Sequence, residues 1–237
     1  MKNKILVSLN FILLIGCTTK SQDLSSIDFN KDAETYLSGL SFSSKTEQKG
    51  HYEAVVNGED ASLKLVDKGE LAANYVFMGE KNTAQLNYGG IPINDVMGTA
   101  ISVYDNKIAF MRVNVKNDQS IALLDVLKKK LGNPTEIVKS ENNPFDATDK
   151  SQKLLLDKLP NETKKVKDDL DDDYITYPEH FIWNKNDIIY QLTFSPTGDY
   201  VSSQLVVISK KAFKDKIIMG YHAPNKDPVL AKYLTLN

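Results

Sequence analysis

The chain has 237 residues, with 29 Lys and Arg against 31 Asp and Glu, and a formal net charge of −2. This length is sufficient for a sizeable hydrophobic core in one large domain or two small ones. The 41% apolar and 25% charged content is that of an ordinary globular protein, and the interspersed charges exclude the basic stripe that nucleic-acid binding requires.

The first residues, MKNKILVSLNFILLIGC, have the three parts of a secretory signal. Lys2 and Lys4 give a positive start, residues 5–15 are almost wholly apolar, and the small residue Gly16 precedes Cys17. This order is typical of a cleaved signal peptide. The apolar run is shorter than the roughly 20 residues that a membrane-spanning helix needs.

The LIGC segment that ends at Cys17 resembles the lipobox of bacterial lipoprotein precursors. The resemblance implies removal of residues 1–16 as the signal peptide, diacylglycerol on the sulfur of Cys17 and an acyl chain (palmitate, for example) on its amino group. Stable anchoring needs more than one acyl chain, and each buried CH₂ contributes about 0.8 kcal/mol. Because Thr18 rather than Asp follows, we expect the outer membrane rather than the inner one. The alternative is a secreted protein whose signal happens to end near a cysteine.

Cys17 is the only cysteine of the chain. A lipidated Cys17 leaves the mature protein without a disulfide, a thiolate nucleophile or a cysteine-based metal site. Residues 17–32 are rich in Ser, Thr, Asp and Lys, which predicts a flexible tether. About 15 such residues span about 20–25 Å on average. Residues 33–237 are then expected to form one α+β globular domain.

The first strands of that domain are predicted from alternating apolar residues at 62–66, 74–78 and 84–88. Asp67 to Gly69 has the composition of a turn. The clearest hairpin follows, with Asp105 and Asn106 at its turn. We expect Arg112 and Asn114 to point outward, and one set of residues to point inward: Ile101, Val103, Ala109, Met111, Val113 and Val115.

One main helix is predicted at about 119–131. Gly132 should end it, and three lysines at 128–130 lie where the helix dipole favours cations. Its apolar stripe has three-and-four spacing and consists of Ile121, Leu124, Leu127 and Leu131. We expect this helix to cover the apolar face of the sheet.

Residues 140–173 change in character, with Pro144, Pro160 and many charges, and are interpreted as a charged insertion or long loop. Strands resume after it, and 188–194 has the strongest alternation in the chain. Three strands with short links predict an antiparallel meander. The predicted fold class is therefore α+β, an antiparallel sheet with one main packed helix and short peripheral helices.

The acidic run at 168–173 places three aspartates at alternate positions, as the start of an EF-hand loop does. That loop also needs Gly at its sixth position and Glu at its twelfth, where this chain has Tyr174 and His180. We interpret the run as solvated and balanced by nearby lysines. A looser Ca²⁺ site at Asp171 and Asp173 is the alternative, and no cofactor is otherwise predicted.

No catalytic constellation is found in the sequence. Glu179 and His180 could transfer protons as a pair, but adjacent residues of a strand point to opposite faces, so we expect them not to meet. Aromatic residues with polar tips are common on binding surfaces. Tyr177, Trp183 and Tyr221 are the candidates for such a recognition surface.

These features predict a membrane-anchored cell-envelope lipoprotein that binds a protein or a glycan and is not an enzyme. Two alternatives stay open. One is a hydrolase that uses carboxylates, with or without Ca²⁺, around Asp171, Asp173 and Glu179. The other is a protective inhibitor of a toxin or a hydrolase. The expected partners are the membrane, through the N-terminal lipid, and an unidentified protein or glycan, with no nucleic acid.

Overall fold

A computed structural model describes residues 21–57 and 60–211. Four α-helices lie in this part of the chain: α1 (Glu34–Leu37), α2 (Glu80–Thr83), α3 (Ser120–Leu131) and α4 (Lys150–Lys158). The described residues also form fourteen strands: β1 (Gln22–Asp23), β2 (Ser44–Asn57), β3 (Asp60–Phe77), β4 (Leu86–Tyr88), β5 (Ile91–Pro92), β6 (Thr99–Tyr104), β7 (Lys107–Asn114), β8 (Glu136–Lys139), β9 (Asn143–Pro144), β10 (Lys164–Lys167), β11 (Asp173–Thr176), β12 (Pro178–Lys185), β13 (Ile188–Pro196) and β14 (Val201–Ser209).

One antiparallel sheet of eight strands dominates the fold, in the order β2-β3-β6-β7-β14-β13-β12-β8. Two three-stranded sheets accompany it, in the orders β1-β4-β5 and β10-β11-β9. The predicted α+β class and its antiparallel sheet are therefore confirmed. Among the residues that the structure describes, no helix combines the length and the apolar character that crossing a bilayer requires.

A register shift between Ser102 and Val103 interrupts the predicted alternation in the central hairpin, β6 and β7. Ile108, rather than the expected Ala109, therefore belongs to the main hydrophobic cluster.

The turn of this hairpin forms as the sequence predicts. Asp105 and Asn106 have φ angles of 51° and 57°, as a tight hairpin turn requires. Met111 and Val113 are buried in the main hydrophobic cluster. Asn114, which was expected to point outward, is also buried, and its amide donates to the carbonyl oxygen of Gly98 at 3.0 Å. The opposite face of β7 is therefore covered as well.

Two helices pack on the same face of the large sheet. In α3, Leu123, Leu124 and Leu127 have no exposed surface. In α4, Leu155 is equally buried in the same cluster. The hydroxyl of Ser120 donates to the carbonyl oxygen of Val201 at 2.6 Å, which links the start of α3 to β14.

The N-terminal residues differ from the predicted tether. Strand β1 pairs in parallel with β4, and the carboxylate of Asp23 accepts hydrogen bonds from the backbone of Ser25 and Gly89. Leu24 is 1% exposed and Phe29 is 6% exposed, both within the main cluster. The tether prediction for 17–32 is therefore wrong from residue 21 onward, because single apolar residues in a polar segment suffice to dock it on the core.

The predicted turn at Asp67 to Gly69 is also wrong. Strand β3 continues through these residues and pairs with β2 on either side of them. Between the pairs Lys49–Leu71 and His51–Val66, β3 has three more residues than β2. The residues whose composition predicted a turn therefore form a bulge inside a long strand.

The charged segment at 140–173 contains regular structure. Strands β9, β10 and β11 form one of the small sheets, and α4 begins where the side chain of Asp149 accepts from the backbone of Gln152. The meander β12-β13-β14 that follows is paired as predicted.

Candidate binding groove

An open groove of about 670 Å³ lies where the N-terminal segment crosses the β3–β6 side of the large sheet. Drug-sized ligands typically occupy pockets of about 300–1,000 Å³. The residues that line this groove all belong to the described part of the chain: Asp32, Ala33, Glu34, Leu37, Ser38, Gly39, Leu40, Phe42, Lys45, Tyr75, Val103 and Asn106.

The first wall of the groove is α1 with the residues on either side of it. The backbone NH of Ala33 donates to the carbonyl oxygen of Asn106 at 2.8 Å, which fixes the start of α1 on the β6–β7 turn. Gly39 has a φ angle of +80°, a conformation that other residues rarely adopt, and it turns the chain toward β2. Leu40 then packs into the core.

The second wall is aromatic. The ring of Phe42 meets that of Tyr75 edge-on, with 5.3 Å between centroids and 81° between planes. Phe42 is 41% exposed although its ring packs on Tyr75. The next residue holds the loop in place, since the hydroxyl of Ser43 accepts from the backbone NH of Met78 at 2.6 Å and donates to its carbonyl oxygen.

A cation lies beside this aromatic pair. The ammonium group of Lys45 is 5.1 Å from the centroid of the Tyr75 ring and forms an ion pair with Glu47. Hydrogen bonds to Glu47, and secondarily to Tyr75, raise the pKa of Lys45 above its ordinary value. The positive charge is therefore held at the aromatic end of the groove.

Asp32 and Glu34 also line the groove. Both residues are exposed, and within the described part of the chain neither takes part in an ion pair. The groove thus combines an exposed aromatic ring, two carboxylates that can accept hydrogen bonds, and an amide from Asn106. This combination suits a ligand that carries both apolar faces and hydroxyl groups.

A smaller cavity of about 320 Å³ lies at the other side of the β6–β7 turn. Its lining includes Asp105, Tyr104, Asp187 and Lys211. Lys211 is 3.9 Å from the carboxylate of Asp105 and 5.5 Å from the centroid of the Tyr104 ring. Because Lys211 and Asp105 pair with one another, this cavity leaves fewer charged groups available to a ligand than the groove does.

The structure does not place Trp183 on the predicted aromatic recognition surface. Trp183 has no exposed surface, and its indole NH donates to the carbonyl oxygen of Gly132 at 2.8 Å, so it is a core residue. Tyr177 is half-buried against the main cluster, and burial raises its pKa. Tyr221 lies outside the described residues. The sequence did not show this burial, because the cover over Trp183 comes from the end of α3, which is distant in the chain.

The acidic run forms a turn closed by its own hydrogen bonds and by lysines. The carboxylate of Asp168 accepts from the backbone NH groups of Leu170 and Asp172. Asp171 pairs with Lys167, and Asp173 pairs with Lys165, each at 2.7 Å. Across 21–57 and 60–211, no three His, Cys, Asp or Glu side chains are grouped so that they could hold a metal ion.

Glu179 and His180 do approach one another, contrary to the expectation from strand alternation. The carboxylate of Glu179 is 3.8 Å from Nε2 of His180, whose Nδ1 lies 2.9 Å from the hydroxyl of Thr193. The reason is an irregularity in the pairing of β12 with β8 between Pro178 and His180. A bulge changes the direction of the side chains beside it.

Comparison of the chain with protein-family models, with curated proteins and with solved structures gives no match. The groove was not predicted from the sequence either. Its residues come from segments at 32–45, at 75 and at 103–106, which only the folded chain brings together. The one local signal was Phe42, a large aromatic residue between serines in a loop.

Proposed function

We propose that the chain is a cell-envelope lipoprotein, anchored through Cys17 to the outer membrane, whose domain binds an envelope glycan in the groove. The anchor is supported by the signal-like residues 1–16 and by the LIGC segment. Binding is supported by the groove, and no catalytic role is assigned to the domain. We further propose α3 as the main helix packed on the sheet, supported by its three fully buried leucines.

The observation that carries the glycan proposal is the exposed ring of Phe42, held edge-on against Tyr75 in a groove that Asp32 and Glu34 also line. Sugar rings present apolar CH faces, which pack on aromatic rings, and hydroxyl groups, which donate to carboxylates. Binding sites of this kind combine apolar surface with a few polar groups that fix the ligand's orientation. Asp32 and Glu34 supply those polar groups here.

Binding is measured by titrating the mature protein in detergent with soluble cell-wall glycan fragments in a calorimeter. Phe42→Ala is expected to weaken binding about tenfold, or about 1.4 kcal/mol, because the exposed part of the ring is roughly half of a side chain whose full burial contributes about 1.5–3 kcal/mol. Tyr200→Ala is the matched control, since Tyr200 is 42% exposed against 41% for Phe42 and does not line the groove. The control variant is expected to bind as the unaltered protein does.

Equal weakening by both variants, or binding that Phe42→Ala leaves unchanged, contradicts the proposal. A pull-down from envelope extract tests the other classes of partner. If the protein captures one enzyme in stoichiometric amount and the Phe42→Ala variant does not, the domain is a protective inhibitor rather than a glycan-binding module.

A hydrolase is not proposed, because Asp171 and Asp173 are paired with lysines rather than directed with Glu179 into a shared cleft.

A further inference from the structure

The structure makes the linker between the proposed lipid and the domain much shorter than the composition suggests. Gln22 and Asp23 pair with β4, and Leu24 is buried. Only residues 18–20 separate Cys17 from Ser21. At about 3.3–3.6 Å per residue, four peptide links reach at most about 14 Å. A bilayer that holds Cys17 therefore holds Ser21 close to its surface.

Ser21 marks one end of the domain. Its hydroxyl accepts from the side-chain amide of Asn87 at 3.2 Å. It also lines a surface pocket of about 380 Å³ together with Ile93, Asp95 and Glu80 of α2. The loop at 94–98 and the start of α2 therefore lie at the same end of the molecule as the N-terminal attachment point.

This end exposes an apolar loop patch, which we define as Met78, Val96 and Met97. Val96 is 69% exposed, Met97 is 60% exposed and Met78 is 45% exposed. The side chain of Met78 lies over Gly98, since a Cβ built there would be 2.8 Å from its Cγ. Among the residues whose side chains the structure describes, three of the eight exposed large apolar ones are thus gathered in one place.

The loop that presents the patch is held in one conformation. The side-chain oxygen of Asn94 accepts from the backbone NH groups of Val96 and Met97, each at 2.9 Å. The backbone NH of Gly98 donates to the carbonyl oxygen of Asn94, and the amide of Asn114 donates to that of Gly98. A fixed loop therefore directs Val96 and Met97 outward, so these two side chains are not part of the hydrophobic core.

We propose that the apolar loop patch inserts into the lipid interface and acts, with the lipid on Cys17, as a second anchor that orients the domain. The inference rests on the proposed lipidation. The short linker places the bilayer, rather than another occupant, against this end. Apolar side chains of peripheral anchors enter the headgroup boundary to a depth of about 5–10 Å. The domain would then stand in a fixed orientation on the membrane.

The experiment uses the lipidated full-length mature protein in phosphatidylcholine vesicles. Met97→Cys, labelled with an environment-sensitive fluorophore, is compared with the equally labelled Leu170→Cys, whose position is 81% exposed in the turn between β10 and β11. Spin-labelled lipids are expected to quench the label at position 97 several-fold more than the label at position 170. Circular dichroism is used to check that both variants are folded.

Flotation of the same vesicles separates this inference from the proposed anchor. Protein that fails to float contradicts lipidation and the inference with it. Protein that floats with the label at position 97 quenched no more than the label at position 170 overturns the inference alone. A label at position 97 that is shielded in whole envelopes but not quenched by spin-labelled lipids also overturns it, in favour of a protein partner.

Discussion

Replacing Leu24 by alanine tests whether residues 21–32 belong to the domain. Leu24 is 1% exposed and contacts the main hydrophobic cluster. Buried Leu→Ala replacements cost about 2–5 kcal/mol, as the sum of lost transfer free energy and the cavity that remains. For a leucine that is almost fully buried, we expect a loss of about 3 kcal/mol in the free energy of unfolding.

For a protein of this size, each kcal/mol corresponds to about 2–4 °C, so the melting temperature should fall by about 6–12 °C. Urea unfolding is followed by the emission of Trp183, which is the only tryptophan and is fully buried. Leu170→Ala is the control, and at 81% exposure it should change stability by less than about 0.5 kcal/mol. Equal unfolding midpoints for Leu24→Ala and Leu170→Ala would refute the docked segment, because a mobile tether contributes nothing to the core.

Two further predictions concern a glycine and a tyrosine. Gly98→Ala should destabilise the protein by more than about 1 kcal/mol, because a Cβ there would lie 2.1 Å from the carbonyl oxygen of Phe77 at a φ angle of +61°. Gly90→Ala is the control and should cost less, since Gly90 has a φ angle of +86° but no atom within 4 Å of the added Cβ. Equal losses of stability in thermal unfolding would contradict the conformation described for the 94–98 loop. Burial raises the pKa of the Tyr88 hydroxyl far above its ordinary value of 10.0. Below pH 10.0 the hydroxyl is therefore protonated in both the folded and the unfolded protein, whereas above pH 10.0 only the unfolded protein loses the proton. Stability should therefore fall by about 1.4 kcal/mol per pH unit above that point for this one group, and Tyr88→Phe, compared at pH 9 and about pH 11 by urea unfolding, should show a smaller fall than the unaltered protein.

The elements that could be predicted from the sequence are those whose signals are local. The β6–β7 hairpin combines alternating apolar residues with a turn, at Asp105 and Asn106, that requires positive φ angles, and both signals lie within a few residues. The lysine-ended helix α3 is similarly self-contained. In these segments the propensity, the periodicity and the turn chemistry all agree.

Prediction failed where the outcome depends on contacts between distant segments. Leu24 and Phe29 are isolated in a polar stretch, and only the sheet that covers them makes them core residues. Trp183 is buried because α3 ends at Gly132 directly above it and supplies a carbonyl oxygen for its indole NH. The groove has the same origin, since Phe42 and Tyr75 are separated by most of the β2–β3 hairpin.

The acidic run at 168–173 shows that the identity of two residues is enough to exclude an EF-hand. Missing Gly and Glu positions ruled out an EF-hand from the sequence, and the structure shows where the charges go instead. Asp171 and Asp173 are paired with lysines of β10, and Asp168 closes the turn. The charges therefore order a surface turn on the small sheet.

Both the proposed location of the domain and its proposed orientation depend on the lipid anchor at Cys17. Mass spectrometry of the N-terminal peptide from protein purified out of host membranes tests it most directly. We expect a peptide that begins at Cys17 and carries the mass of a diacylglyceryl group and an acyl chain. A peptide with an unmodified Cys17, or one that still carries residues 1–16, would contradict it.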